Sequence, residues 1–301
     1  MLDYRAEVFI QVAQCLNITR ASQDLYISQP AVTAAIQKLE EHYAVKLFLR
    51  KPAGLELTPA GVMLYRHLSK LKEASTKLNN EMMKLKGTVH GRLSIGAAPT
   101  FGNYILPRLL GFFSKSYPKI SYNLLVGNNA QIYSYLREGR IELAFLVGTL
   151  PGKELAATKI MKDRLILVVS PRHPWSARET VSSSELLTQP LILREKRSSS
   201  RRDMEEAFAE MGLSPGKLSA IADFNSFEAI KSAVHADLGA ALISWWAVKR
   251  ELEQGWLSPV KIEGVDLTRD IYAATLPGAG LTEAASRLLR IACHDLADFL
   301  P

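Results

Sequence analysis

At 301 residues, 48% of them hydrophobic and 22% charged, the chain is long enough for two or three packed domains and too apolar for a disordered or fibrous protein. Its net charge of +7 suits a polyanionic partner and is densest at the front, where residues 1–88 hold 12 Lys/Arg against 8 Asp/Glu. Two distant cysteines, Cys15 and Cys293, exclude a disulfide framework or a thiolate zinc site, and no apolar run reaches the length of a membrane span.

The chain opens on an amphipathic helix, Tyr4 to Cys15, with Val8, Phe9, Val12 and Ala13 on one face. Asp3, Arg5 and Glu7 make it unlike a signal peptide, so a cytoplasmic protein with no membrane partner is expected. Thr19 is a candidate cap for a short helix over 20–25, whose small Ala21 and Ser22 allow a second helix to cross closely. After a turn at Tyr26-Ile27, Ser28 caps the next helix and Pro30 sits in its first turn, where a missing N–H costs nothing. Val32, Ala35, Ile36 and Leu39 recur there as a buried stripe. The outer face is left to Gln29, Thr33, Ala34, Gln37 and Lys38, side chains able to approach base edges and phosphates in a major groove. Leu47-Phe48, the basic corner Arg50-Lys51-Pro52 and a short strand over 55–58 complete a wing. The pattern as a whole is a winged helix-turn-helix, and Thr19, Arg20, Ser28, Pro30, Arg50 and Lys51 join the outer-face residues as candidates for DNA contact.

A long helix over 59–86 follows. Leu64, Leu68, Leu71, Ser75, Leu78, Met82 and Leu85 alternate spacings of four and three, a seam suited to a partner helix, and its flanks carry charges such as Lys70 and Lys72. Beyond Gly87-Thr88-Val89-His90-Gly91 the pattern changes to strands over 92–98, 120–126, 143–147, 165–170, 191–194, 220–223, 240–244 and 269–276. Helices over 105–117, 130–138, 201–211, 227–236 and 281–300 alternate with them, which predicts a mainly parallel sheet with helices on both faces.

Such sheets bind ligands at the carboxyl ends of strands, beside helix N-termini that favour anions. Thr100 follows the first strand and could both cap a helix and touch a ligand. Ser198-Ser199-Ser200 with Arg201 gathers hydroxyls and a guanidinium at another junction, and Asn128, Val147-Gly148 and Asn225 lie at further ones. A small anionic effector is expected; Phe101 and Phe145 would equally suit an apolar moiety or an ordinary core. Trp175, Trp245 and Trp246 are read as cover for a lobe surface or a subunit contact.

Read together, Thr19-Arg20-Ala21-Ser22, Ser28-Gln29-Pro30-Ala31-Val32-Thr33, Leu39-Glu40-Glu41, Leu47-Phe48-Leu49-Arg50 and Leu57-Thr58-Pro59-Ala60-Gly61 resemble the N-terminal signature of the LysR-type transcriptional regulators. Weaker landmarks extend the resemblance over the whole chain: Gly91-Arg92-Leu93-Ser94-Ile95-Gly96, Leu106-Pro107, Tyr117-Pro118, Gly139-Arg140-Ile141-Glu142-Leu143-Ala144, Arg172-His173-Pro174 and Leu238-Gly239-Ala240-Ala241. The resemblance implies a DNA-binding domain over 1–58, a dimerisation helix over 59–88 that pairs antiparallel with its copy, and an effector domain over 89–301 similar to periplasmic binding proteins. That domain would have one lobe from about 91–161 and 267–301 and another from about 162–266. A homodimer or homotetramer, double-stranded DNA and RNA polymerase are the partners implied, and a regulator that activates targets and represses its own gene. Relatives that sense oxidants use paired cysteines in the C-terminal part, which this chain lacks. It also departs at Ser22, where a second alanine is usual, at Ala44, where a glycine is common, and at Gln37, where a basic residue is frequent. The first two exchange small for small and are expected to cost little.

Catalysis has little support. The six histidines are scattered without metal-ligand spacing, no Gly-x-Ser-x-Gly elbow or phosphate-binding glycine loop is present, and no cofactor or metal is called for. The competing reading is an architectural DNA-binding protein whose C-terminal part only oligomerises. Gln37 replaces a phosphate contact by a side chain that can pair with a base edge, so Gln37→Ala should shift base preference at one operator position. Equal weakening on every sequence, measured by binding to a randomised duplex library, would count against that role.

Overall fold

Asp3 opens the first helix, α1 (Tyr4–Cys15), by accepting the Arg5 N–H, and Leu16 closes it in the left-handed region at φ 48°. The computed structural model describes residues 3–25, 27–51, 54–85, 90–210, 212, 216 and 218–299. They fall into two compact units, Met1–Thr88 with Ala279–Glu283 and Val89–Gly278 with Ala284–Pro301. Tyr26, Pro52, Met211 and 86–89 lie outside the described residues, as do the side chains of Arg50, Met82 and Leu85.

In the first unit α2 (Ile18–Leu25) and α3 (Gln29–Tyr43) pack with α1 around Val8, Phe9, Val12, Ala21, Val32 and Ile36, all buried. The small Ala21 and Ser22 are fully or nearly fully buried, which permits the close crossing. Thr19 is not the cap. Asn17 Oδ1 accepts the Arg20 N–H at 2.9 Å, so the helix starts two residues earlier and Thr19 lies inside it. Ser28 caps α3 as expected, its Oγ accepting the Ala31 N–H. At the other end Ala44 takes φ 54°, a left-handed conformation in which a Cβ is strained, so replacing the usual glycine is not free.

Strands β1 (Phe48–Lys51) and β2 (Gly54–Leu57) form the antiparallel wing, with Phe48 opposite Leu57. Two side chains tie it down. Glu40 accepts the N–H groups of Leu47 and Phe48 and pairs with Lys46 at 2.6 Å. Burial works to raise its pKa, but Lys46 and the two N–H groups outweigh that and leave it below the ordinary carboxylate value. Thr58 donates to the Lys46 carbonyl at 2.7 Å and accepts the Gly61 N–H at 2.9 Å, which caps α4 (Pro59–Leu85) onto the wing. A Cβ at Gly61 would run into the Leu47 carbonyl oxygen, which explains the Thr-Pro-Ala-Gly spacing: cap, first-turn proline, then a residue without a side chain at the contact.

The second unit is one mixed sheet flanked by helices. Its strands are β3 (Gly91–Ala97), β4 (Ile120–Val126), β5 (Leu143–Val147), β6 (Ala156–Val169), β7 (Thr180–Val181), β8 (Leu191–Arg194), β9 (Ala220–Phe224), β10 (Ala240–Ser244), β11 (Ser258–Ile262) and β12 (Thr268–Thr275). Its helices are α5 (Leu106–Ser116), α6 (Asn129–Arg137), α7 (Ser183–Leu186), α8 (Ser199–Glu210), α9 (Phe227–His235), α10 (Trp245–Glu253) and α11 (Glu283–His294). The order is β4-β3-β5-β12-β6-β10-β8-β9, with β11 also on β6 and β7 on β11.

Pairings of β3 with β4 and β5, and of β8 with β9 and β10, are parallel as expected; every pairing of β6 and β12 among these is antiparallel. Those two strands join the lobes. β6 is twice as long as the 165–170 strand expected, because its first half, Ala156 to Arg164, pairs with β12 and the second with β10 and β11. The first half faces solvent on much of its length and carries charges that hide a strand pattern. The expected helix over 105–117 begins with a π-helical turn, Phe101–Ile105, and the C-terminal helix stops at His294 before a 3-10 turn, Leu296–Phe299. Trp175 lies in the second lobe's core rather than on its surface. Since Ala44 sits exposed in the left-handed region, Ala44→Gly should raise unfolding stability by about 0.5–1 kcal/mol. A lower urea midpoint for the variant would refute the strain.

Candidate functional site: a nucleic-acid face and an interlobe cleft

Helix α3 separates its faces cleanly. Gln29, Pro30, Ala34, Gln37 and Lys38 are exposed and Thr33 half-buried, while Val32, Ala35, Ile36 and Leu39 pack inward. Thr19 and Arg20 are exposed on α2, and the exposed Ser28 stands at the head of α3. Lys51 pairs with Glu56 across the wing, a surface contact weak enough for a phosphate to replace. The exposed surface thus gathers short polar side chains, Arg20, Lys38 and Lys51 on one unit, the donor set for a duplex groove and its backbone.

The linker seam divides in two. Leu68 is buried and Leu64 partly buried in the unit's own core, which corrects their assignment to a partner contact. Leu71 and Leu78 stay 57% and 59% exposed and border a groove of about 500 Å³ with Leu39, Tyr43 and Ala74.

In the second unit, Thr100 and Asn128 from one lobe meet Ser198, Ser199 and Ser200 from the other around a narrow cavity of about 10 Å³, room for one water. Arg269 on β12 organises it. Its Nε and Nη2 donate to Asp163 at 2.9 and 2.8 Å, Nη1 to Ser200 Oγ at 2.9 Å and Asp203 at 3.1 Å, and Nη2 to Thr100 Oγ1 at 3.2 Å. All five guanidinium N–H groups are therefore placed. Asp163 accepts a further hydrogen bond from the Ser244 hydroxyl at 2.8 Å. Burial pushes the Asp203 carboxyl up while Arg269 pulls it back only in part.

The hydroxyl directions follow. Thr100 and Ser200 accept from Arg269, and Ser198 Oγ accepts the Arg201 N–H at 3.1 Å. Each of these oxygens has one of its two acceptor positions filled by an N–H, and each hydroxyl still carries one O–H to donate. Asn128 Oδ1 accepts the Gln131 N–H at 3.0 Å in a capping box, so its amide end has only N–H to offer. Arg194, four residues before Ser198 at the end of β8, also lines the cavity.

Other expected residues fall elsewhere. Thr100 makes no cap, because the π-helical turn follows it and Arg269 claims its oxygen. Phe101 is core, stacked on Phe145 at 4.2 Å. Arg201 turns away to Glu205, Asp223 at 2.8 Å and the Arg194 carbonyl. Val147 is buried and bonded to Asn129, and Gly148 borders a separate cavity of about 370 Å³ rimmed by Asp203, Glu206, Glu210, Asp266 and Asp270, surroundings hostile to an anion. Asn225 is exposed, the cap beside it being Ser226. Sequence reasoning missed Asp163, Arg194 and Arg269; the one signal was a charge set at the edge of each apolar strand run.

Two family descriptions match the chain: a bacterial regulatory helix-turn-helix protein of the lysR family over residues 5–62, and a LysR substrate binding domain over 86–296. A relative named "probable RuBisCO transcriptional regulator", from Cyanidioschyzon merolae, is 32% identical over 272 residues, 89% of this chain and 90% of the relative. The full-length CbnR solved with its target DNA has a TM-score of 0.64 at 20% identity, covering 98% of this chain and all of that one. The Synechocystis CcmR regulatory domain, solved with 2-PG, has a TM-score of 0.62 at 24% identity over 68% of this chain and 99% of that one.

Proposed function

The chain belongs to the LysR-type transcriptional regulators, DNA-binding proteins that carry an effector domain and are not enzymes, and from that premise we propose a regulator switched by a small anion held between its two lobes. The observation that carries this reading is the gathering of donors in the cleft: Thr100, Ser198 and Ser200 each already accept an N–H and each keep an O–H to offer, beside the Asn128 amide. A carboxylate or phosphoryl group, rich in acceptors, satisfies such a set of donors. The N-termini of α6 and α8 add partial positive charge beside Asn128 and Ser198.

On the DNA side, residues 1–58 supply the reading head and 59–88 the pairing helix. Gln29, Thr33, Ala34, Gln37 and Lys38 enter a major groove, Arg50 and Lys51 hold the flanking backbone or minor groove, and Thr19, Arg20, Ser28 and Pro30 complete the DNA-contacting set. Two copies read two half-sites, with Leu71 and Leu78 covered by the partner's helix, and effector binding alters their spacing and the bend they impose. We read such a regulator as acting in the cytoplasm, with RNA polymerase as a partner. Among the described residues no helix is long and apolar enough to cross a membrane.

The similarity to CcmR makes 2-PG a fitting first probe. It should raise the melting temperature and change the footprint on operator DNA, with a neutral polyol inert and both responses weakened in Thr100→Val and Ser198→Ala. Equal stabilisation by the polyol would remove the anion from the account. Replacing Leu71 and Leu78 together by Glu should convert dimers to monomers by sedimentation, and an unchanged mass would place the pairing surface elsewhere.

A further inference from the structure

Arg194 ends β8 with its side chain only 3% exposed and its guanidinium 4.3 Å from the centre of the Phe227 ring. Its Nε and Nη2 donate to Oε2 and Oε1 of Glu195, both at 3.0 Å. This two-pronged fit is the one a guanidinium makes with a bound carboxylate or phosphoryl group. Both residues line the narrow cleft, together with Thr100, Asn128 and the three serines.

The two partners differ in freedom. Ring and protein enclose Arg194, whereas the Glu195 side chain is 33% exposed and can turn to water. Displacing the carboxylate would expose an unpaired buried cation, which only another anion can satisfy. Space points the same way, since a cavity sized for one water admits a ligand only by gaining the volume that a neighbouring side chain fills.

We propose that Glu195 is a built-in competitor for the effector, its carboxylate occupying the fork of Arg194 that the ligand's anionic group takes when Glu195 swings out. The inference rests on reading the cleft as an anion site and adds a specificity device to it. A simple ion replaces one carboxylate contact by another and gains little. A ligand that also accepts from the Thr100, Ser198 and Ser200 hydroxyls gains bonds that Glu195 does not make. Glu195 thereby raises the concentration at which any anion binds, by the inverse of the fraction of time it leaves the fork free, and rejects common inorganic ions.

The test uses the full chain, with inorganic phosphate and malonate as probes and melting temperature and calorimetry as readouts. Glu195→Gln should respond to phosphate at a concentration roughly ten-fold or more below that needed by the unaltered protein. The double variant Arg194→Met with Glu195→Gln should not respond at that concentration. A Glu195→Gln protein that responds at the same or a higher concentration, or not at all, overturns the proposal, as does a double variant that responds like the single one. If the unaltered protein binds malonate in a manner dependent on Thr100 while Glu195→Gln changes nothing, the anion cleft stands and the competitor falls. If Glu195→Gln gains phosphate binding but Thr100→Val alters no anion response, the competitor stands and the wider cleft reading falls.

Discussion

Arg269 is the one side chain on which the geometry of the effector domain depends. It sits on β12, one of the two strands that join the lobes, and its main partner, Asp163, sits on β6, the other. Its remaining donors reach Thr100 in the first lobe and Ser200 and Asp203 in the second. Taking both charges out of water costs several kcal/mol per ion, and their attraction offsets this only when every donor is placed. An apolar pair of similar volume would stabilise the fold about as well. What the ion pair supplies is selection of one arrangement, because a shift of either lobe strands an N–H in a dry interior.

The same bonds set the chemistry of the cleft. An arginine has no acceptor, so every hydroxyl it touches is committed to accept from it and to donate elsewhere. The Nη1 and Nη2 groups that tie the lobes together thus also occupy one acceptor position on each hydroxyl they touch. The cavity beside Gly148 shows the contrast across the same junction: Asp203, Glu206, Glu210, Asp266 and Asp270 line it, and its Thr268 and Tyr272 hydroxyls bond to two of those carboxylates.

Most of the DNA-binding unit was legible in the sequence because its signals are local. A capping serine, a first-turn proline and a four-residue stripe of Val32, Ala35, Ile36 and Leu39 act within one helix, and α3 formed as read. Errors arose where equivalent local choices compete, as between Asn17 and Thr19 for one cap, or where a backbone angle decides, as at Ala44. In the α/β unit the alternation of strands and helices was readable, but the first half of β6 was not, since its side chains are largely exposed and charged. The serine run was found from its place at a strand-to-helix junction, whereas Arg201 was misplaced. Periodicity cannot say whether a guanidinium turns inward or toward Asp223, and it cannot join Arg269 to Thr100, which lie 169 positions apart.

The contact between Gly61 and Leu47 removes slack from the first unit. Thr58 holds the Lys46 carbonyl and the Gly61 amide at once, and the first turn of α4 rests on main chain with no side chain between. Alpha-helix α4 runs 27 residues, about 40 Å, so it acts as a stiff lever whose short arm is welded to the wing. Successive base pairs stand about 3.4 Å apart, so a lever of that length needs to turn by only a few degrees for its wing end to travel from one set of base edges to the next.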